Sequence, residues 1–68
     1  MLYKGFDIET IEDEPGHFKA AIRKAGGGSV RTAVPPGPEV PVITTQLYSN
    51  AEDAIAQAKR SIDAGGII

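Results

Sequence analysis

Val42-Ile43-Thr44-Thr45-Gln46-Leu47-Tyr48-Ser49-Asn50-Ala51-Glu52-Asp53 is the stretch whose reading decides the fold. Its first seven residues are rich in β-branched side chains and predict a strand. Ile43, Thr45 and Leu47 would take one face, and Val42, Thr44, Gln46 and Tyr48 the other. The remaining five predict a helix start. Ser49 has Glu52 three residues on and Asn50 has Asp53 three residues on, with Ser49/Glu52 the better capping-box match. Glu52 and Asp53 also suit the positive end of a helix dipole. Beyond the cap, Ala51, Ile55, Ala58 and Ile62 recur at helical spacing, and Ala54 widens the apolar stripe. Asp53, Gln57, Lys59, Arg60 and Asp63 take the opposite face, where Lys59 and Asp63 are spaced for an ion pair. Gly65 and Gly66 end the helix in a left-handed cap, leaving Ile67 able to fold back on the last turn.

Toward the N-terminus, Leu2 to Ile11 reads as a strand with Leu2, Phe6, Ile8 and Thr10 on one face and Tyr3, Asp7 and Glu9 on the other. Gly5 would mark a bulge or a close backbone approach. Glu12-Asp13-Glu14-Pro15-Gly16 reads as a turn, since proline presets one dihedral and glycine supplies positive φ. His17 to Lys24 then forms a second strand, Phe18, Ala20 and Ile22 facing in, and His17, Lys19, Ala21 and Arg23 facing out. Ala25-Gly26-Gly27-Gly28-Ser29 interrupts regular structure, Val30 to Val34 is a candidate short strand, and Pro35 to Pro41 is stiff and extended. Residues 25–41 thus form a Gly/Pro-rich loop or flap. The expectation is one small α+β domain over residues 1–68. It has a three- or four-stranded antiparallel sheet with a single C-terminal helix packed on one face.

Sixty-eight residues lie near the lower limit for a self-sufficient core, and the absence of cysteine removes disulfides and thiolate metal ligands. A small core favours self-association, so a homodimer is expected. The net charge of −2 argues against a general nucleic-acid binder, which needs a basic stripe. No window approaches a membrane span and the first residues hold no signal-peptide apolar core, so a cytoplasmic location is expected.

Three stretches carry a family resemblance. Tyr3 to Ile11 with its acidic turn, His17-Phe18-Lys19-Ala20-Ala21-Ile22, and Asn50-Ala51-Glu52-Asp53-Ala54-Ile55-Ala56-Gln57-Ala58 together resemble the small α+β domain of the HicB-like antitoxin family. The resemblance implies a protein that blocks a small toxin partner. The chain departs from that pattern in the long Ala25-to-Pro41 segment and in carrying no C-terminal DNA-binding domain.

Catalytic and metal motifs are weak. Glu12, Asp13 and Glu14 are adjacent, whereas a calcium loop spaces its oxygens at alternate positions and needs a distal bidentate acid. His17 is the only histidine and has no nucleophile partner in its vicinity. Gly26 to Arg31 lacks the Lys-Ser/Thr ending of a phosphate loop. No cofactor is expected, and the reading is non-catalytic. One helix covers one sheet face, so the other face, with Tyr3, Val42, Thr44, Gln46 and Tyr48, is the expected protein interface. The alternative is a weak RNA- or DNA-binding module using Arg23, Lys24, Arg31, Lys59 and Arg60.

Overall fold

The computed structural model describes residues 1–68. Four strands, β1 (Leu2–Tyr3), β2 (Phe6–Glu14), β3 (His17–Lys24) and β4 (Ile43–Thr44), precede one helix, α1 (Ala51–Asp63). The sheet order is β1-β2-β3-β4, every pair antiparallel. This is the α+β arrangement expected, but the strands are not all the expected ones. The predicted first strand is two: Lys4 (φ 48°) and Gly5 (φ 85°) both have positive φ and turn the chain between Tyr3 and Phe6. Two successive positive φ values suit the twist of a tight hairpin. Gly5 is therefore a turn residue rather than a bulge. The reversal also moves Leu2 off the core face, and it is 71% exposed.

The acidic run lies within β2, and Pro15-Gly16 alone forms the turn. Asp13 is the extra residue, since Glu12 stands opposite Phe18 and Glu14 opposite His17. The hairpin is straight elsewhere, with Ile8 opposite Ile22 and Thr10 opposite Ala20. Phe6, Ile8, Ala20 and Ile22 line the face that meets Ala54, Ala58 and Ile62 of the helix, and all are buried. The alanines let the helix axis come close to the sheet. Ala21, expected to face outward, does point away from the helix yet has no exposed surface, flanked by Glu9 and Thr44 on the neighbouring strands.

Residues 30–40 are neither a strand of the sheet nor a flap over it. Val30 exchanges both backbone hydrogen bonds with Val40 at 2.8 Å and is fully buried in the core. Arg31 and Ile68 exchange a second pair at 3.0 Å, and the Ala33 N–H donates to the Gly66 carbonyl at 2.8 Å. The segment is a loop closed at its neck and stitched to the C-terminal tail. Ile67, carried by that tail, joins the core. At Gly37 a Cβ would lie 2.4 Å from Thr32 Oγ1, so a larger residue must displace that hydroxyl, which donates to the Pro35 carbonyl at 3.0 Å.

Asn50, not Ser49, caps the helix: its side chain accepts from the Asp53 N–H at 2.8 Å. At the other end the Gly65 N–H donates to the Ile62 carbonyl and the Gly66 N–H to the Ser61 carbonyl, with Gly65 at φ 76°. That pair of bonds is a Schellman arrangement, a form of the left-handed cap predicted from the two glycines.

Candidate functional site

Of the predicted seven-residue strand Val42 to Tyr48, only Ile43 and Thr44 form a regular ladder, opposite Ile22 and Ala21. The Thr45 N–H still donates to the Ala20 carbonyl at 2.9 Å. The return bond is different: the Ala20 N–H donates to Thr45 Oγ1 at 3.0 Å, and that hydroxyl donates to the Gln46 carbonyl at 2.9 Å. Pairing resumes where Phe18 and Tyr48 exchange backbone bonds at 2.7 Å. Gln46 and Leu47 together stand opposite Lys19, so the strand holds a bulge.

An extra residue reverses the side-chain parity beyond it. Tyr48 therefore shares the face of Phe18 and packs against the core beside the helix. Tyr3, opposite Phe6 across the first turn, lies on the same face. This corrects the expected sharing of one face by these residues. Tyr3 and Tyr48 do not share a solvent face with Thr44; they flank the covered side of the sheet, one near each end of the helix.

What the structure does bring together is a hollow beside β4. As the last strand in the sheet order, β4 has no neighbour on its outer side. The backbone groups of Ile43 and Thr45 face β3, so by the alternation of an antiparallel ladder the N–H and C=O of Thr44 point outward. A hollow of about 330 Å³ lies between this strand and α1, with Thr44, Gln46 and Tyr48 on one wall and Gln57 and Ser61 on the other. It adjoins a second hollow of about 510 Å³ that reaches Val34 and Arg60. Three of the five predicted interface residues line the first hollow; Val42 and Tyr3 line neither. Sequence reading missed Gln57 and Ser61 as site residues, while Ile67, read as folding back on the last helical turn, also lines the hollow. The only signal for the missed pair is that Gln57 and Ser61 sit four apart at the margin of the apolar stripe, where their side chains bond to each other at 3.3 Å.

The five basic residues of the nucleic-acid alternative are dispersed. Arg23 lies on the sheet face away from the helix, 3.7 Å from Glu9. Lys24 lies over the Phe6 ring, Arg31 belongs to the stitched loop, and Lys59 lies over the Tyr3 ring. Arg60 instead borders the hollow. Lys4, not singled out from sequence, joins the Tyr3 group and donates to Asp63 at 2.6 Å. The Tyr3 hydroxyl donates to the same carboxylate at 2.7 Å. Asp63 thus bonds to the first hairpin and not to Lys59. The hydrogen bonds from Lys4 and Tyr3 hold its carboxyl below the usual range. The bond to Asp63 in turn raises the pKa of Tyr3 and of Lys4.

His17 is exposed, with Nδ1 3.3 Å from the Pro15 carbonyl oxygen and 3.9 Å from Glu14. No helix of the structure is long and apolar enough to cross a membrane. Comparison with protein-family models, with curated proteins and with solved structures finds no match to this chain.

Proposed function

We propose that this chain is a non-catalytic protein-interaction module that associates through the free edge of β4. The observation that carries this reading is an unprotected edge. Val42 to Tyr48 contains no charged residue, and the outward backbone groups of Thr44 lie beside an open hollow. Natural sheet edges are commonly blunted by charge or covered, and one left bare is a template for strand addition. Two partners suit the edge: a second copy of the chain, which would enlarge a small core, and a small protein of the toxin type implied by the HicB-like resemblance. The opposite face supports the same assignment by elimination, because Glu9 and Asp13 of β2 are matched by bases on β3 and Asp7 by the Met1 amino group at 3.4 Å. Asp13 meets Lys19 at 3.6 Å and Glu9 meets Arg23 at 3.7 Å.

Native mass spectrometry over a range of concentrations tests the reading with Thr44→Pro. Proline removes the outward N–H while leaving the bonds to β3 in place. Association, with self or with a supplied partner, should disappear in the variant while its circular dichroism is retained. Complexes that survive Thr44→Pro in a folded protein refute the edge assignment.

A further inference from the structure

We infer that the partner of this edge presents an extended segment carrying a carboxylate, seated along β4 with its acid against Arg60. The inference rests on the reading of β4 as the docking edge and adds the chemistry of what docks. The two hollows share Ile43, Gln57, Ser61 and Ile67, so they form one channel between β4 and α1. Its floor is apolar: Ile22 is 1% exposed and Ile67 6% exposed. Its walls are neutral hydroxyls and amides, and Arg60 is the only charged residue lining it.

Arg60 is one of four basic side chains with no acid partner, with Lys24, Arg31 and Lys59, and of those four only Arg60 lines the channel. Lys4, Lys19 and Arg23 each lie within ion-pair distance of a carboxylate, whereas Arg60 has none and donates only to Gln57 Oε1 at 2.9 Å. A guanidinium carries five donors in a planar fork that matches a carboxylate. Gln57 takes one and holds the fork at the channel's margin. A polyphosphate chain would find a single positive charge above an apolar floor, a poor match. A strand with small apolar side chains and one acid fits both features.

Strand geometry adds a constraint. In an added strand, alternate side chains point to the same side of the sheet. The acid that reaches Arg60 and the apolar side chain that meets Ile22 and Ile67 must therefore be an even number of residues apart.

The test is selection of a displayed library of random decapeptides on the full chain, followed by fluorescence anisotropy of a labelled winner. Enriched peptides should pair Asp or Glu with a β-branched or aliphatic residue at even spacing. Arg60→Glu should weaken the winner by about tenfold or more, the scale of losing one charge-assisted pair. Exchanging the peptide's acid for Lys should restore binding to that variant. Thermal melts of Arg60→Glu and of Arg60→Gln control for folding.

Winners without an acid, or binding unchanged in Arg60→Glu, overturn the inference; loss of their binding in Thr44→Pro would still leave the edge reading standing. No enrichment with a dimer that Thr44→Pro dissolves means a second copy fills the edge, which also overturns it. No enrichment and no Thr44-dependent association removes both.

Discussion

Thr45→Val should destabilise the protein although valine is the better strand former and nearly the same shape. The threonine hydroxyl occupies a ladder position that a backbone carbonyl would otherwise take, accepting from the Ala20 N–H at 3.0 Å and donating to the Gln46 carbonyl at 2.9 Å. Ala20 has no exposed surface, so its N–H has no route to water once the hydroxyl is gone. An unsatisfied buried donor costs about 1–3 kcal/mol, while the strand propensity gained is worth a fraction of the ~1 kcal/mol the whole scale spans. The deficit should dominate. In a domain of this size each kcal/mol corresponds to about 4–8 °C in Tm, so Thr45→Val should melt several degrees or more below the parent. Thr45→Ser retains the oxygen and should stay closer to it. The assay is thermal unfolding by circular dichroism, joined to hydrogen exchange at the Ala20 amide, which should speed up selectively in the valine variant. A valine protein as stable as the parent, with Ala20 still protected, would show that the hydroxyl does not hold the bulge. Tyr48 would then need another reason to share the face of Phe18.

Asn50→Ala should cost about 0.5–2 kcal/mol in unfolding free energy while Ser49→Ala changes little, because only Asn50 accepts from the first turn; equal effects in urea melts would reject that assignment. Ile67→Ala should lose about 2–4 kcal/mol, a core-sized effect from a residue next to the chain end, and a loss below about 0.5 kcal/mol would show that the tail does not complete the core. The Asp63 group sets a pH window. Its folded carboxyl pKa lies below 3.8, so its contribution is present above that value and is lost as pH falls through the folded value. The raised Tyr3 and Lys4 values act oppositely: their contribution is present below about 10 and is lost at higher pH. The stability gap between the parent and Asp63→Asn should therefore be widest between those limits and shrink toward both, as urea melts at pH 3, pH 7 and pH 11 would show.

Much of the fold is legible in local pattern. His17 to Lys24 alternates, and the structure pairs it as β3 with Ala20 and Ile22 facing in. Ala54, Ala58 and Ile62 repeat at helical spacing and are the buried helix residues. Gly65-Gly66 closes the helix in the expected manner because positive φ at Gly65 is a local requirement with a local solution. The less legible parts are where a short-range choice was nearly balanced. Ser49 and Asn50 offer competing caps one residue apart, and which one serves depends on where the preceding strand delivers the chain. Lys4-Gly5 suits a turn or an irregular strand, and pairing Met1 and Leu2 back onto β2 settles it, the Ile8 N–H donating to the Met1 carbonyl at 2.8 Å.

The site was only partly legible, for a reason that is physical. Alternation along a strand assigns faces only while the register is unbroken, and a single turn or bulge reverses every later side chain. The residues between Ile43 and Tyr48 do not declare a bulge. It exists because the Thr45 hydroxyl can replace a carbonyl opposite Ala20, a contact between residues 25 apart in sequence. That contact puts Tyr48 with the core and leaves Thr44 on the outer edge. In the same way, the Gly65-Gly66 cap lets Ile67 fold back, but the burial of Val30 and Ile67 in the core depends on the loop neck and the tail being joined by backbone bonds across the molecule. Sequence alone determined the element types, the hairpin and the apolar helix stripe, because those follow from periods of two and 3.6 residues and from turn chemistry. Tertiary structure alone decided which strand ends the sheet, which face each tyrosine takes and where the channel opens, because those depend on register and on contacts that no local period encodes.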